Sequence, residues 1–469
     1  MNQTSSSPRI APSAAASAAS RLAARATRPG ISPLSLGLAA GCAAALALPQ
    51  DVPAAAAVDA PAPTLDVAAL RAQGPAALDA LLARFDHMAP GPERDRLALA
   101  IDAVAAQRYA TTSRLYWYTD LAEARAAART LDRPILALRM LGRLDEDLSC
   151  ANSRFFRTTL YANAQVSSFL RQGFVLYWSS ERPVPRVTID FGDGRKLERT
   201  TTGNSAHYVL DADGNVLDVL PGLYAPAVFQ AELARSARLA HRVRGLDGAA
   251  RARAVAEHHR RELEAAAARL QSVAGTQFVR GRGRLLGQGE IDGSAVASAQ
   301  RATMAKAIVE VPDLGKIGVD AGSIDPSDLA AWAVIGQKVW GIYTATVAGP
   351  APRQPGLPRQ AAAPVVLDAQ SRALVAQLHN AGPVTAAPAE LSAMLARLEQ
   401  SIVADTALNE LRLRPQIRAL LAHGEPLGLE QLNARIYADV FHTPRADAWL
   451  GLLPRTDFTG LPGDGVVLP

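Results

Sequence analysis

The chain has 469 residues, which is long for one ordinary hydrophobic core, so we expect two or three compact units. Hydrophobic residues make up 49% of it, but much of this is alanine, and aromatic residues make up only 5%. Of the net charge of +5, four units come from residues 1–48, which hold four arginines and no acidic residue; the 45 basic and 44 acidic residues elsewhere leave a net charge of +1. This balance excludes an electrostatic case for nucleic-acid binding.

The N-terminus predicts an export signal. A Ser/Ala/Arg-rich leader ends at Arg28, and an apolar run follows from Leu34 to Leu48. About 15 apolar residues suit the core of a signal peptide and are fewer than the roughly 20 that span a membrane. Small residues that suit a signal peptidase follow at 45–47 and 54–57. We therefore expect a periplasmic or extracellular protein.

Two other interpretations of the leader remain open. The segment Leu38-Ala-Ala-Gly-Cys42 resembles a bacterial lipoprotein signal, although Ala39 stands where that signal usually has a larger aliphatic residue. In the second interpretation, the leader is not cleaved and remains as an anchor. A membrane is an expected partner only in these two cases, lipidation at Cys42 or retention of the leader.

The cysteine count limits the redox chemistry. The chain has two cysteines, Cys42 and Cys150, and cleavage beyond Cys42 leaves Cys150 alone, so that no intrachain disulfide forms. The eight histidines are spread out, and the adjacent His258 and His259 point to different faces of a helix. We expect no metal and no cofactor.

Shifts in composition divide the chain into seven segments. An Ala/Pro-rich stretch predicts a flexible tether, and a later Pro-rich stretch predicts a linker. The segments are 1–48, a signal peptide; 49–64, the tether; 65–112, a helical lead-in; 113–243, a unit of alternating helices and strands; 244–347, a helical and Gly-rich region; 348–364, the Pro-rich linker; and 365–469, a helical C-terminal unit.

Apolar spacing predicts helices on both sides of the alternating unit. In the lead-in, a stripe from Leu78 to Phe85 predicts one helix, and a second is predicted from Glu93 to Ala110. Beyond residue 243, helical character continues to about Ser272, and Asp325 begins another predicted helix. Two stripes at helical spacing mark the C-terminal unit: Leu391, Met394, Leu395, Leu398 and Ile402, then Leu429, Leu432, Ile436, Tyr437 and Val440.

Between 113 and 243, short apolar runs alternate with helical patterns. Glycines at Gly192-Asp-Gly194 and Asp211-Ala-Asp-Gly214 predict two hairpin turns. The first lacks the ligand alternation of a calcium loop. The predicted elements are the helix Asp120–Leu131, the strand Ile135–Leu141, the acidic loop Gly142–Ser149, a helix headed by Cys150, the strand Phe174–Trp178, the hairpin Val187–Thr200, the strand pair His207–Leu210 and Val216–Leu220, and a helix opened by Pro226.

Three segments carry a resemblance to a known family. Arg133-Pro-Ile-Leu-Ala-Leu-Arg139 looks like the active-site strand of the thioredoxin superfamily, and Phe174-Val-Leu-Tyr-Trp178 looks like its next strand. Gly203-Asn-Ser-Ala-His-Tyr-Val-Leu-Asp-Ala-Asp-Gly214 resembles the family's G-x-P-T segment and its D-x-D-G hairpin. The resemblance covers Tyr116 to Leu239, about a quarter of the chain, and is closest to exported members with a longer loop after the active-site strand.

This resemblance implies the fold class. We expect an α/β protein, with a thioredoxin-like domain at 113–243, a helical N-terminal lead-in and a mostly helical C-terminal region. Two family features are replaced in this chain. The Cys-x-x-Cys motif is Cys150-Ala-Asn-Ser153, and Ser205 stands at the position of the family's cis-proline. Without a second cysteine, intramolecular disulfide exchange cannot occur.

A single reactive thiol remains one functional hypothesis. A cysteine at a helix N-terminus favours the thiolate, and Ser153 is expected to donate a hydrogen bond to its sulfur. Arg154 and Arg157 add positive charge, and the acidic residues 145–147 oppose it if they face the thiol. The resemblance implies that Asn204 and Ser205 bind the backbone of an extended ligand, although a plain turn is the alternative.

Two functions follow from these residues. The first is a monothiol oxidoreductase-like protein that acts through Cys150 and forms a mixed disulfide with a protein or a small thiol. The alternative is a non-catalytic secreted binding or structural protein with a degenerate thioredoxin fold, in which Cys150 is a small buried residue. The exposure of Cys150 separates them, because burial beneath Phe155, Phe156 or Trp178 argues against catalysis.

Overall fold

The computed structural model describes residues 65–200, 204–281, 366–383, 385–423, 428–441 and 443. All of these described residues belong to one compact unit. The predicted signal peptide, the tether, the Pro-rich linker and the predicted helix that begins at Asp325 lie outside the described residues, so the structure does not test them.

The lead-in consists of four helices around a small core of their own. Leu78, Leu82, Ile101 and Val104 are buried together in it. The second predicted helix ends before Ala110, because Ala106 adopts the left-handed conformation, with a φ of 52°. The helices are α1 (Val67–Ala72), α2 (Pro75–Asp86), α3 (Pro92–Ala105) and α4 (Ala110–Ser113).

A four-stranded mixed sheet follows, and the predicted strand Ile135–Leu141 lies inside it. The near-continuous apolar run of this strand suits burial on both faces, and all seven residues are buried. The strand order is β2-β1-β5-β6; β1 and β2 are parallel, whereas β5 is antiparallel to β1 and to β6. The strands are β1 (Ile135–Leu141), β2 (Val175–Arg182), β5 (Ala206–Leu210) and β6 (Val216–Pro221).

The predicted hairpin forms a separate two-stranded antiparallel sheet, β3 (Arg186–Asp190) and β4 (Lys196–Thr200). Gly192 and Gly194 lie in its turn with φ values of 76° and 92°, a region that glycine enters without a steric penalty. The predicted turn at Gly192-Asp-Gly194 is therefore confirmed.

Helices connect and cover the strands. The predicted helix Asp120–Leu131 is confirmed with Asp120 as its N-cap, and Pro226 occupies the first turn of α8, as predicted. These helices are α5 (Leu121–Leu131), α6 (Ala151–Phe155), which continues as a π-helical turn (Phe156–Leu160), α7 (Ala164–Gly173), α8 (Pro226–Val243) and α9 (Gly248–Gly281).

The C-terminal helices share the core of the sheet. Leu398, Ile402, Leu432 and Ile436, from the two predicted stripes, are buried in the same apolar cluster as the four strands. The helices are α10 (Ala369–His379), α11 (Pro388–Leu408) with a π-helical turn (Asn409–Leu413), α12 (Arg414–Ala422), and α13 (Leu429–Arg435) with a second π-helical turn (Ile436–Val440). The described fold is thus a mixed α/β arrangement.

Candidate functional site

Cys150 lies where the loop after β1 ends and α6 begins. It is the N-cap residue of α6, and its N–H donates to the carbonyl of Leu141 at 3.1 Å, which closes the loop onto the end of β1. Gly142 opens this loop with a φ of +73°, and a Cβ there would lie 3.2 Å from the main-chain Cα of Ser149. The loop therefore needs glycine at this position to bring Cys150 back to the strand.

The thiol of Cys150 is completely buried. Its exposed fraction is 0%, and it belongs to the apolar cluster that also contains Phe156 and Trp178. Its sulfur lies 3.8 Å from the hydroxyl of Ser205, which directly precedes β5. The structure thus brings together Cys150 and Ser205, and removes both from solvent.

Ser153 does not take the role that the sequence predicts. Its hydroxyl is hydrogen-bonded to Ser149 Oγ at 2.6 Å and donates to the main-chain carbonyl of Cys150 at 2.8 Å. Thr200 donates to the carbonyl of Ser149 at 3.0 Å and in turn accepts from Arg154 at 3.0 Å. The sequence reasoning missed Ser149 and Thr200. This chain of hydroxyls holds the start of α6 and leaves Ser205 as the sulfur's contact described above.

Arg157 anchors the loop that leads to Cys150. Its buried guanidinium donates to the carbonyl oxygens of Leu144, at 2.9 Å, of Glu146, and of Asp147, at 3.3 Å. Burial lowers the pKa of Arg157 to about 10, so it remains charged at neutral pH. The sequence assigned Arg157 a charge effect on the thiol, and its hydrogen bonds give it a structural role as well.

The acidic residues of the loop are paired with arginines. Asp145 contacts Arg143 at 2.6 Å, and Asp147 contacts Arg108 at 3.0 Å. Burial opposes the ionisation of Asp147, but its hydrogen bonds and charge interaction with Arg108 outweigh burial and hold its pKa below the usual value. Glu146 lies 3.4 Å from Arg143. These pairings compensate the acidic charge beside Cys150.

Two residues of the helical C-terminal unit, Tyr437 and Thr443, bind Asn204. The side-chain amide of Asn204 donates to Thr443 Oγ1 at 2.9 Å, and the hydroxyl of Tyr437 donates to the main-chain carbonyl of Asn204 at 3.2 Å. All three residues are buried. The predicted ligand contact at Asn204 is therefore filled from within the chain. The helical stripe in the sequence indicated that Tyr437 is buried but not what it contacts, and nothing in the sequence pointed to Thr443.

A buried tyrosine–histidine pair lies next to the thiol region and was also missed. Tyr161 and His207 share a hydrogen bond of 2.6 Å between the phenol oxygen and Nε2. Their rings pack with those of Phe156 and Phe229. Burial lowers the pKa of His207 to about 3, which keeps the imidazole neutral at physiological pH.

The described residues offer few other functional features. An open cavity of about 340 Å³ is lined by residues that include Thr112, Arg114, Ser167 and Arg171, and none of the predicted site residues lines it. Within the described ranges, no group of three or more His, Cys, Asp or Glu side chains could hold a metal ion. No helix in those ranges is long and apolar enough to cross a membrane.

Comparison of the chain with family models, with curated proteins and with solved structures finds no match to any of them.

Proposed function

We propose that this chain is an exported, non-catalytic binding or structural protein built on a degenerate thioredoxin-like domain. The strand order β2-β1-β5-β6 supports this fold, with one parallel and two antiparallel neighbouring pairs. The position of Cys150 at the head of the helix after β1, and of Ser205 directly before β5, supports it as well. The apolar leader supports export.

The observation that carries the non-catalytic proposal is the burial of Cys150. A thiol must contact its partner to form a mixed disulfide. The exposed fraction of Cys150 is 0%, so no partner can contact its thiol in this structure. The neighbouring Asn204 is also engaged, by Tyr437 and Thr443. The thioredoxin-like domain then acts as a scaffold whose former thiol site is packed with the chain's own residues.

Monothiol chemistry at Cys150 is the second candidate. It is favoured by the contact between the sulfur and Ser205 and by the position of the thiol at a helix N-terminus. It requires the segment that carries Tyr437 and Thr443 to move away from Asn204. The two candidates therefore differ in one measurable quantity, the rate at which a reagent reaches Cys150 in the folded protein.

The test is the alkylation rate of Cys150 as a function of pH, on protein without Cys42, with Cys150→Ser as the blank. A peptide with a free cysteine, whose pKa is about 8.5, gives the reference rate. We expect labelling far slower than that of the peptide, and recovery of the peptide's rate in denaturing urea. Labelling of the folded protein at the peptide's rate or faster, with an inflection at or below pH 7, would overturn the proposal in favour of monothiol chemistry.

Export has a separate test. We expect the protein purified from cells that express the full chain to have lost the leader, so that its intact mass corresponds to a start between residues 46 and 58. A mass that includes the leader contradicts cleavage, and a lipid adduct on Cys42 identifies the protein as a lipoprotein.

A further inference from the structure

The hairpin of β3 and β4 has two outer edges, one on each strand, and neither pairs with another described strand. The two strands form a sheet of their own, separate from the four-stranded sheet. Phe191 donates its N–H to the carbonyl of Arg195 beside the turn, so these two residues form a hydrogen-bonded pair. Hydrogen-bonded and non-hydrogen-bonded pairs alternate along an antiparallel ladder, so this pair fixes which of the other residues bond across the hairpin. Val187 and Ile189 therefore direct their main-chain groups to β4, whereas Arg186, Thr188 and Asp190 direct theirs outward.

The side chains of β3 are ordered symmetrically about Thr188. The strand reads Arg-Val-Thr-Ile-Asp from residue 186 to residue 190, so a cation and an anion stand at its two ends and two β-branched apolar residues flank the centre. Arg186, Thr188 and Asp190 are exposed, and Val187 and Ile189 are half-buried on the other face. When two copies of this strand lie antiparallel about Thr188, each charged end faces the opposite charge and each apolar residue faces an apolar residue.

We propose that the outer edge of β3 pairs with β3 of a second copy of this chain, around a two-fold axis at Thr188. In this register Thr188 faces Thr188 of the second copy, Val187 faces Ile189, and Arg186 faces Asp190. The residues with outward main-chain groups then oppose one another, so each such pair can exchange main-chain hydrogen bonds. Such an interface is isologous and closes as a dimer.

The residues around the strand fit the same register. Phe191 has an exposed fraction of 55%, large for an aromatic side chain, and falls opposite Pro185 of the second copy. Asp190 contacts Lys196 at 3.2 Å and Arg186 contacts Glu146 at 3.8 Å. Both are ion pairs between exposed groups, which contribute little, so either can exchange for the cross-copy pair without a large loss.

The opposite edge of the hairpin is unsuited to pairing with itself. On β4 the outward main-chain groups belong to Lys196, Glu198 and Thr200. Antiparallel pairing about Glu198 would place two carboxylates directly opposite each other, which is unfavourable. Thr200 is buried and bonded to Ser149, so the end of this edge is also closed. The second copy is therefore assigned to β3.

The first experiment is sedimentation of the full chain over a range of concentrations, in reducing buffer so that no disulfide links two copies. Thr188→Pro removes an outward N–H at the centre of the proposed interface. Glu198→Pro is the matched control, because Glu198 lies directly opposite Thr188 in the hairpin and also points its N–H outward. We expect a monomer–dimer equilibrium whose dissociation constant rises about tenfold or more in Thr188→Pro and changes by less than about threefold in Glu198→Pro. A chain that is monomeric at every concentration, or equal effects of the two prolines, would overturn the proposal.

A charge exchange tests the register itself without introducing proline. Arg186→Asp places two carboxylates opposite each other at both ends of the interface, and Asp190→Arg places two guanidinium groups there. We expect each variant alone to dimerise more weakly than the wild type. An equimolar mixture restores opposite charges at both ends, so we expect it to form a heterodimer. A mixture that is as monomeric as its two components would contradict this register. Thermal unfolding of each variant verifies that it is folded.

Discussion

The phenol hydroxyl of Tyr437 donates a hydrogen bond to the main-chain carbonyl of Asn204 at 3.2 Å, across 233 residues of sequence. Thr443 binds the side chain of the same asparagine. Asn204 directly precedes Ser205, whose hydroxyl lies against the sulfur of Cys150. The C-terminal segment thus contacts the loop beside the thiol, and opening that contact is one route by which solvent could reach Cys150.

Tyr437→Phe tests this route. The substitution removes one buried hydrogen bond and keeps the ring, so we expect a loss of about 1 kcal/mol in the free energy of unfolding. If the C-terminal segment opens locally, the same loss raises the alkylation rate of Cys150 about fivefold. Two quantities are measured on the same sample: the alkylation rate of Cys150 in the folded protein and the free energy of unfolding in urea.

Tyr116→Phe is the matched control for Tyr437→Phe. The hydroxyl of Tyr116 also donates to a main-chain carbonyl, that of Arg71 at 3.0 Å, but it lies in the lead-in core. We expect a similar loss of stability and no change in labelling. Equal acceleration in the two variants would mean that Cys150 is labelled through global unfolding and not through release of the C-terminal segment.

The C-terminal helices are also joined to the sheet by a buried charge cluster. Arg414 contacts Asp218 at 2.8 Å, Glu232 at 2.6 Å and Glu410 at 2.7 Å, and all four residues are buried. Burial opposes the ionisation of Asp218, but Arg414, together with smaller effects of His259 and other groups, outweighs it and holds the pKa of Asp218 well below its usual value. Arg414 is therefore a cation shared by three carboxylates.

Arg414→Met removes this cation and leaves the carboxylates buried. We expect the free energy of unfolding to fall by about 3–5 kcal/mol, as it does when one partner of a buried ion pair is removed. The control is Arg129→Met, which breaks an exposed pair with Asp213 and should cost less than about 1 kcal/mol. Urea unfolding of both variants measures the difference. Similar costs would show that the cluster contributes no more than a surface pair.

His207 makes the stability depend on pH. Its pKa falls from 6.5 to about 3 on burial, so the folded protein leaves this imidazole neutral at a pH where the unfolded chain protonates it. The contribution of His207 to stability is therefore complete above pH 6.5 and is lost as the pH falls toward 3. Between pH 7 and pH 5 this loss amounts to about 2 kcal/mol.

His207→Leu should remove that part of the pH dependence. Unfolding free energies at pH 7 and pH 5 should differ by about 2 kcal/mol less in the variant than in the wild type. Loss of the hydrogen bond to Tyr161 lowers stability at both pH values and does not affect this difference. His241→Leu, at an exposed position, is the matched control and should keep the wild-type difference. An unchanged difference in His207→Leu would show that His207 takes up its proton between pH 7 and pH 5 in the folded protein just as it does in the unfolded chain.

Local signals predicted the elements of the sheet region well. The apolar run of β1, the glycines of the hairpin turn and Pro226 each act within a few residues, so the sequence alone carries their effect. The position of Cys150 at a helix start was predicted in the same way. The strand predicted at Phe174–Trp178 extends to Arg182, where its residues are less apolar.

The contacts of the site could not be predicted in this way. Asn204 meets Thr443 across 239 residues, and no local pattern encodes such a pairing. The hydroxyl of Ser153, which was predicted to bind the sulfur, donates instead to the carbonyl of Cys150, an acceptor within the same turn of helix. Side-chain hydroxyls often bond to nearby backbone groups in this way, and the choice depends on the exact geometry of the turn.

Gly142 gives a final test of how the loop positions Cys150. Gly142 and Gly192 both have positive φ values, +73° and +76°, so alanine at either position should cost about 1–2 kcal/mol in backbone strain. Nothing lies within 4 Å of a Cβ at Gly192, whereas a Cβ at Gly142 meets the main chain of Ser149 at 3.2 Å.

We expect Gly142→Ala to be more destabilising than Gly192→Ala in urea unfolding. It should also accelerate Cys150 labelling beyond the change in Gly192→Ala, because relief of the contact moves the residue next to the thiol. Equal stability and equal labelling in the two variants would show that the loop relaxes without moving Cys150.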